Sequence, residues 1–237
     1  MTTLTQDRTV GQITAEFPAS TRVFEKHGID FCCGGKIPVT EACRRLGLDA
    51  EALLGEIDAA TDQATQGPSG DLADWTTAPL PTLIDHIVDT HHAYMKVQLP
   101  RVEAMLEKVL QAHGERHGEM LRAVAAIYAP MKAELDGHLA KEEMILFPLI
   151  RSLVDGRGST FHCGSVQNPI RMMLQEHESA GDGLVQLRRL TGGYFPPADA
   201  CNTFRALYFE LAAMEQDLHR HIHLENNILF PRAIGLE

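Results

Sequence analysis

One segment of this chain is written twice. His138-Leu-Ala-Lys-Glu142-Glu-Met-Ile145-Leu146-Phe147-Pro148 returns 83 residues later as His221-Ile-His-Leu-Glu225-Asn-Asn-Ile228-Leu229-Phe230-Pro231. The histidine, glutamate, isoleucine, leucine, phenylalanine and proline keep one register, and Leu135 with Leu218 and Glu134 with Asp217 extend the match backwards. Such self-similarity marks a duplicated structural unit. Around it lie four stretches of helical periodicity, about 80–112, 117–153, 168–191 and 198–230. Gly114, the run Asp155-Gly-Arg-Gly-Ser159, and Gly192-Gly193 with Pro196-Pro197 separate them. Four long helices on short connections predict an up-down four-helix bundle built from two hairpins.

The duplicated residues carry chemistry. Residues four apart share a helix face, so His138 projects with Glu142 and His221 with Glu225. Each pair falls on the stripe that bears Leu135, Ile145 and Leu146, or Leu218, Ile228 and Leu229, which predicts that it faces the core. A carboxylate turned inward is costly unless it is paired or binds a metal. The other two helices can complete such a site. The third offers a single histidine, His177, behind Met173 and Leu174. The first offers His86, His91 and His92: the Ile84, Val88 and Met95 face slightly favours His91, whereas the repeat spacing slightly favours His92.

Four imidazoles and two carboxylates suit iron, and two carboxylates able to bridge suit a pair of ions. A structural zinc needs four ligands and usually takes thiolates. The pattern is His-x-x-x-Glu with lone histidines, which describes a histidine-rich site of haemerythrin type. Glu143, opposite Asn226 in the repeat, is read as solvated or as a group standing behind a ligand, and His113, His117, His219 and His223 as surface histidines. His162 and Cys163 are read as loop residues.

The first 60 residues read as a separate helical module, with periodicity over Thr14–Lys26 and Val39–Ala60 and Thr40 as a candidate helix cap. Between these helices, His27-Gly-Ile-Asp-Phe-Cys-Cys-Gly-Gly-Lys36 must turn and should expose Cys32 and Cys33. Adjacent cysteines bridge each other only with strain. Exposed thiols in a turn can bind metal, exchange disulfides or take up nitric oxide. Residues 61–79, polar and rich in breakers, are read as the linker to a bundle over 80–237. About 18 flexible residues reach roughly 20–25 Å, enough to swing the thiols to the bundle surface or to a client.

Composition removes several classes of function. A net charge of −11 lacks the basic footprint of a nucleic-acid binder. No apolar run approaches the roughly 20 residues that span a bilayer. Five cysteines, an odd number, do not make a secreted disulfide framework. With no basic start followed by an apolar stretch, the chain is expected in a reducing cytoplasm.

Taken together, Asp30-Phe-Cys-Cys-Gly-Gly-Lys36, a linker, and a domain ending Glu225-Asn-Asn-Ile-Leu-Phe-Pro-Arg-Ala233 resemble the repair of iron centres family over nearly the whole chain. These are bacterial di-iron proteins tied to recovery of iron–sulfur clusters after nitrosative and oxidative damage. Asp85-His86 and Gln98-Leu99-Pro100 match that family's first bundle helix, and this register puts its first histidine ligand on His92. The resemblance implies the set His92, His138, Glu142, His177, His221 and Glu225 holding two non-haem irons, joined by an oxo or hydroxo bridge. It implies damaged iron–sulfur proteins as partners, with nitric oxide or dioxygen as small ligands and a homodimer allowed. Cys32 and Cys33 would be redox or iron-relay thiols, and Glu134 and Glu176 groups that assist proton or iron movement. Iron donation and nitric oxide removal, including its reduction at the irons, are the routes implied. A haemerythrin-like oxygen or nitric oxide binder or sensor is the alternative.

Overall fold

Thr9 starts the first helix with a reciprocal cap. Its hydroxyl accepts the Gln12 N–H at 3.2 Å, and the Gln12 side chain accepts the Thr9 N–H at 3.1 Å, so two orphan donors of a helix start are satisfied together. In this computed structural model, which describes Thr5 and residues 7–66, 74–157 and 164–237, four helices follow from there: α1 (Val10–Glu16), α2 (Ser20–His27), α3 (Val39–Leu46) and α4 (Ala50–Gln66). Phe17-Pro18 divides the first periodic stretch into α1 and α2, because a proline ring does not fit a helix interior. The second stretch divides at Gly47, where Asp49 Oδ1 accepts the N–H groups of Glu51 and Ala52 and opens α4.

Thr40 is not a cap. Helix α3 begins at Val39 after Pro38, with no side-chain cap. Backbone pairing sets this start: the Val39 N–H goes to the Arg8 carbonyl at 3.0 Å, and the Val10 N–H goes to the Ile37 carbonyl at 3.0 Å. The two segments that flank the cysteine turn are thereby fixed side by side.

The longest helical run starts at α5 (Leu80–His86) and continues through a π-helical turn, Ile87–His92, into α6 (Ala93–Lys141). A second π-turn, Glu142–Leu146, leads to α7 (Phe147–Val154). The expected break at Gly114 is absent: α6 continues through it, with Pro100 and Pro130 as the only residues lacking a helical N–H. The chain nevertheless reverses there. Tyr128 donates to the Leu99 carbonyl at 2.9 Å, Lys132 pairs with Glu103 and Arg151 with Asp85. A straight helix would hold Tyr128 and Leu99 about 40 Å apart. The paired residues bracket the Gly114–Gly118 stretch, so the hairpin closes through a bend that keeps helical turns.

Two more helices complete the pattern, α8 (Gln167–Leu190) and α9 (Asn202–Leu224), the latter followed by a third π-turn, Glu225–Leu229, and α10 (Phe230–Ile234). Ser179 on α8 bonds Glu134 on α6, Arg188 on α8 bonds Glu215 on α9, and Glu210 on α9 pairs with Arg101 on α6. Glu134 and Lys141 meet Ser179 and Glu176 in reversed order, as do His91 and Arg101 with Asp217 and Glu210, so these neighbours run antiparallel, as an up-down bundle requires. The fold is all-α, with no strand among the described residues.

By compactness the chain divides into two units, Met1–Leu83 with His219–Leu236, and Ile84–Leu218 with Glu237. The first unit joins the N-terminal helices to the end of the last long helix. The proposed linker falls partly on residues 67–73, which lie outside the described residues, as do His162 and Cys163.

Candidate metal centre

The three π-turns mark the site. They contain His92, Glu142 and Glu225. In the two repeat copies the turn is followed directly by Phe147-Pro148 and Phe230-Pro231. A proline ring collides with the carbonyl four residues back in a regular α-helix, and the widened turn ahead of it makes room. One extra residue per turn also rotates everything beyond it by about 100° around the helix axis. This is why simple periodicity misplaced Ile145. Ile145 was expected in the core beside Leu146, yet it is exposed while Leu146 is buried. On the first helix the phase shift over Ile87–His92 buries both His91 and His92, but for different uses.

His91 Nδ1 donates to Asp217 Oδ1 at 2.9 Å. His92 turns instead to Glu142, with Nε2 3.4 Å from Oε2, and its ring stacks on Phe147 at 5.5 Å between centroids. His138 Nε2 stands 3.4 Å from the same Glu142 oxygen, and 3.1 Å from His177 Nε2. In the other unit His221 Nε2 lies 3.1 Å from Glu225 Oε1, four residues on. All six side chains are buried, Glu142 and Glu225 completely.

This donor chemistry fits a cation. His92 and His138 each give Nδ1–H to an outer carboxylate: Glu143 Oε1 at 2.8 Å and Glu176 Oε2 at 2.9 Å. Their Nε2 atoms then carry lone pairs, and both aim them at one carboxylate oxygen. Without a positive charge that arrangement repels. Two donors about 2.1 Å from one ion at the tetrahedral angle lie about 3.4 Å apart, which is the spacing a shared metal produces. Two groups of donors can each hold an ion, namely His92, Glu142, His221 and Glu225, and His138, Glu142, His177 and Glu225, with the ligand atoms of each group within 4.8 Å of one another. Glu142 and Glu225 belong to both.

The outer carboxylates also have definite partners. Glu143, read from the sequence as solvated or behind a ligand, is the one behind His92. Burial works against its ionisation, but the hydrogen bonds from Lys96 and His92 hold its carboxyl below the ordinary value. Glu176 is likewise lowered by Lys141 and His138 against the opposing effect of burial. Glu134 is exposed and accepts from Ser179 at 3.2 Å. A small cleft lined by Glu134, Glu176 and Ala180 opens onto His138 and His177.

The cysteine turn is less exposed than its glycines suggested. Cys32 is buried and Cys33 half-buried, because Asp30 Oδ1 accepts both of their N–H groups, at 2.9 and 3.0 Å, and curls the turn inward. The two sulfurs stand 3.9 Å apart, beyond the roughly 2.05 Å of a disulfide. The hydrogen bond with Cys33, burial, and the Asp30 carboxylate raise the Cys32 thiol well above its ordinary pKa.

In the same unit Asn227 donates to the Phe31 carbonyl at 3.2 Å and Asn226 to the Cys32 carbonyl at 3.5 Å. Phe31 packs edge-on against His219 and His223, with centroids 6.0 and 5.9 Å away. His223 is therefore not a surface residue. Burial pushes its pKa down to about 4, and Asn227 bonds its Nδ1 at 3.0 Å. The other histidines read as surface residues are half-buried, with His113 and His117 resting on Phe204. The asparagine pair just after Glu225 was the available sign that this face meets backbone rather than water.

Comparison with known proteins assigns both parts of the chain to families. Residues 83–233 match the family described as the hemerythrin HHE cation binding domain, and residues 6–61 match a domain of unknown function, DUF542. The iron-sulfur cluster repair protein YtfE of Edwardsiella ictaluri is 40% identical over 233 residues, covering 97% of this chain and 98% of the relative. The protein of the same name from Yersinia pseudotuberculosis is 39% identical over 229 residues, covering 97% of both.

Proposed function

The chain belongs to the hemerythrin HHE family and, within it, to the iron–sulfur cluster repair proteins YtfE, and from that premise we propose that it binds two iron ions and restores damaged iron–sulfur clusters. The observation that carries this reading is the pair of donor groups sharing Glu142 and Glu225. His92 and His221 would serve one ion, His138 and His177 the other, and the two glutamates both. Bound there, iron supplies a releasable metal and open coordination positions for nitric oxide or dioxygen.

The protein side of the work is done by identifiable groups. Glu143 and Glu176 orient the His92 and His138 rings by taking their Nδ1 protons, which aims both Nε2 atoms inward. Phe147, stacked on His92, excludes water from that side. Glu134 and Glu176, at the cleft that opens onto His138 and His177, stand where a proton or an iron ion would enter or leave. Cys32 and Cys33 lie beside the helix turn that carries Glu225 and are the thiols we assign to a relay of iron or a nitrosyl group. Such thiols work in a reducing compartment, and we place the protein in the cytoplasm. No helix among the described residues is long and apolar enough to cross a membrane.

The test is recovery of a dehydratase whose cluster nitric oxide has destroyed. Iron-loaded protein should restore activity, and metal-free protein should not. The Cys32→Ser/Cys33→Ser double variant should keep its iron and its visible spectrum but restore activity more slowly. Equal recovery with and without iron-loaded protein would overturn the repair reading.

A further inference from the structure

Behind two of the imidazoles the same three-part chain is built twice. Lys96 Nζ donates to both oxygens of Glu143, at 2.6 and 2.8 Å, and Glu143 accepts from His92 Nδ1. Lys141 Nζ donates to Glu176 Oε1, and Glu176 accepts from His138 Nδ1 through its other oxygen. The internal repeat does not generate this likeness. Its counterparts of Glu143 and Lys141 are Asn226 and Leu224. The first chain joins helix α6 to the turn after it, and the second joins the end of α6 to α8. Two unrelated sets of positions thus arrive at one order: ammonium, carboxylate, imidazole.

We propose that Lys96 and Lys141 are positioning residues that act through Glu143 and Glu176 to set the donor strength of His92 and His138, and with it the reduction potential of the metal they hold. This rests on the iron reading above. A carboxylate that takes the Nδ1 proton draws it away from the ring, makes Nε2 a stronger donor and favours the more oxidised metal. An ammonium on the same carboxylate withdraws that charge and weakens the pull. Each glutamate sits between two positive claims, so its net effect on the ring is graded by how tightly the lysine holds it. The lysine side chains are partly open to solvent, 51% exposed at Lys96 and 35% at Lys141, while His92 and His138 are enclosed. The outer end of each chain can therefore respond to a docked partner or to salt without the ligands moving.

The signs separate this from a packing role. Lys96→Met and Lys141→Met release the carboxylates. Each should lower the midpoint potential, the double variant more than either, with iron content unchanged. Glu143→Gln and Glu176→Gln weaken the pull on the ring. They should raise the potential and weaken iron binding against a chelator about 10–100-fold, the usual scale for losing an outer partner of a metal ligand. Lys96→Arg should restore the parent value. Lys132→Met, which removes an ammonium paired with Glu103 and Asp136 on the same helix, should leave the potential in place.

The measurements are iron content by elemental analysis, then a spectroelectrochemical titration of each loaded variant. Shifts of one sign in both the lysine and glutamate series, or a Lys132→Met shift as large as that of Lys96→Met, would overturn the proposal. If the glutamine variants hold no iron, the lysine series alone decides. A parent protein that takes up no iron overturns the iron reading itself. A parent with full iron whose lysine variants keep its potential overturns only the proposal.

Discussion

The two copies of the duplicated segment share a motif and a π-turn, yet their outer faces differ. In the first copy Glu143 reaches back to His92, while Met144 and Ile145 are 78% and 57% exposed. In the second the same three positions hold Asn226, Asn227 and Ile228. There the asparagines bond the carbonyls of the cysteine turn, and Ile228 is only 4% exposed. The inward residues, His and Glu, are held constant. The outward ones have been rewritten, one copy toward the ligand histidine on a neighbouring helix and the other toward the N-terminal module. The candidate metal donors are thus alike in the two copies, while the far side of each helix has its own partner.

The largest expected effect tests whether the inner faces are equivalent. His138→Ala and His221→Ala should each lose at least one iron by elemental analysis, and both should melt below the loaded parent, since metal binding free energy is also folding free energy. Full iron in one variant and loss in the other would break the equivalence. A smaller effect separates the outer faces. Ile228→Ala removes buried methyl groups and should cost about 2–5 kcal/mol. The matching Ile145→Ala, on an exposed residue, should stay within about 0.5 kcal/mol. Urea unfolding of both variants measures this, and equal losses would mean that the two faces are packed alike.

That contrast also shows where sequence reading reached its limit. The repeat, the four helical stretches and the His-x-x-x-Glu spacing were visible because ligand pairs on one helix obey a local period. Ile145 was misplaced, and His91 could not be set aside by periodicity, because π-turns change the phase of a helix and the pattern of apolar residues carries no mark of them. The nearest sign was proline six residues after each glutamate, at Pro148 and Pro231, in positions a regular helix would resist. The lysine–glutamate–histidine chains were illegible for another reason. Lys96 and Glu143 are 47 residues apart, and only the hairpin brings them together. The cysteine turn also gives its Phe31 and Cys32 carbonyls to Asn227 and Asn226 from the far end of the chain, a pairing that no local pattern announces.

The smallest effect concerns how closely the module is seated, and it rests on the two glycines after the cysteines. They are not equivalent. The atoms nearest a Cβ on Gly34 would be those of the Asp30 side chain, at 3.0–3.2 Å, which can give slightly. A Cβ on Gly35 would lie 2.7 Å from the Phe31 carbonyl and 3.1 Å from both Asn227 Oδ1 and Gly11 Cα. Backbone cannot rotate away as a side chain can. Moreover, the Gly35 carbonyl accepts the Gly11 N–H at 2.8 Å, so any shift also strains that bond. Gly35→Ala should therefore cost about 1–3 kcal/mol, the scale of overpacking a tight contact, against a smaller cost for Gly34→Ala. The loss should be local. Amides around residues 31–37 should exchange faster and Cys33 should alkylate faster in Gly35→Ala, with iron content unchanged, because the donors sit on helices that the turn does not build. Iron loss in Gly35→Ala would show instead that seating the module holds the second copy's His221 and Glu225 in place, and the division between inner and outer faces would fail in that copy.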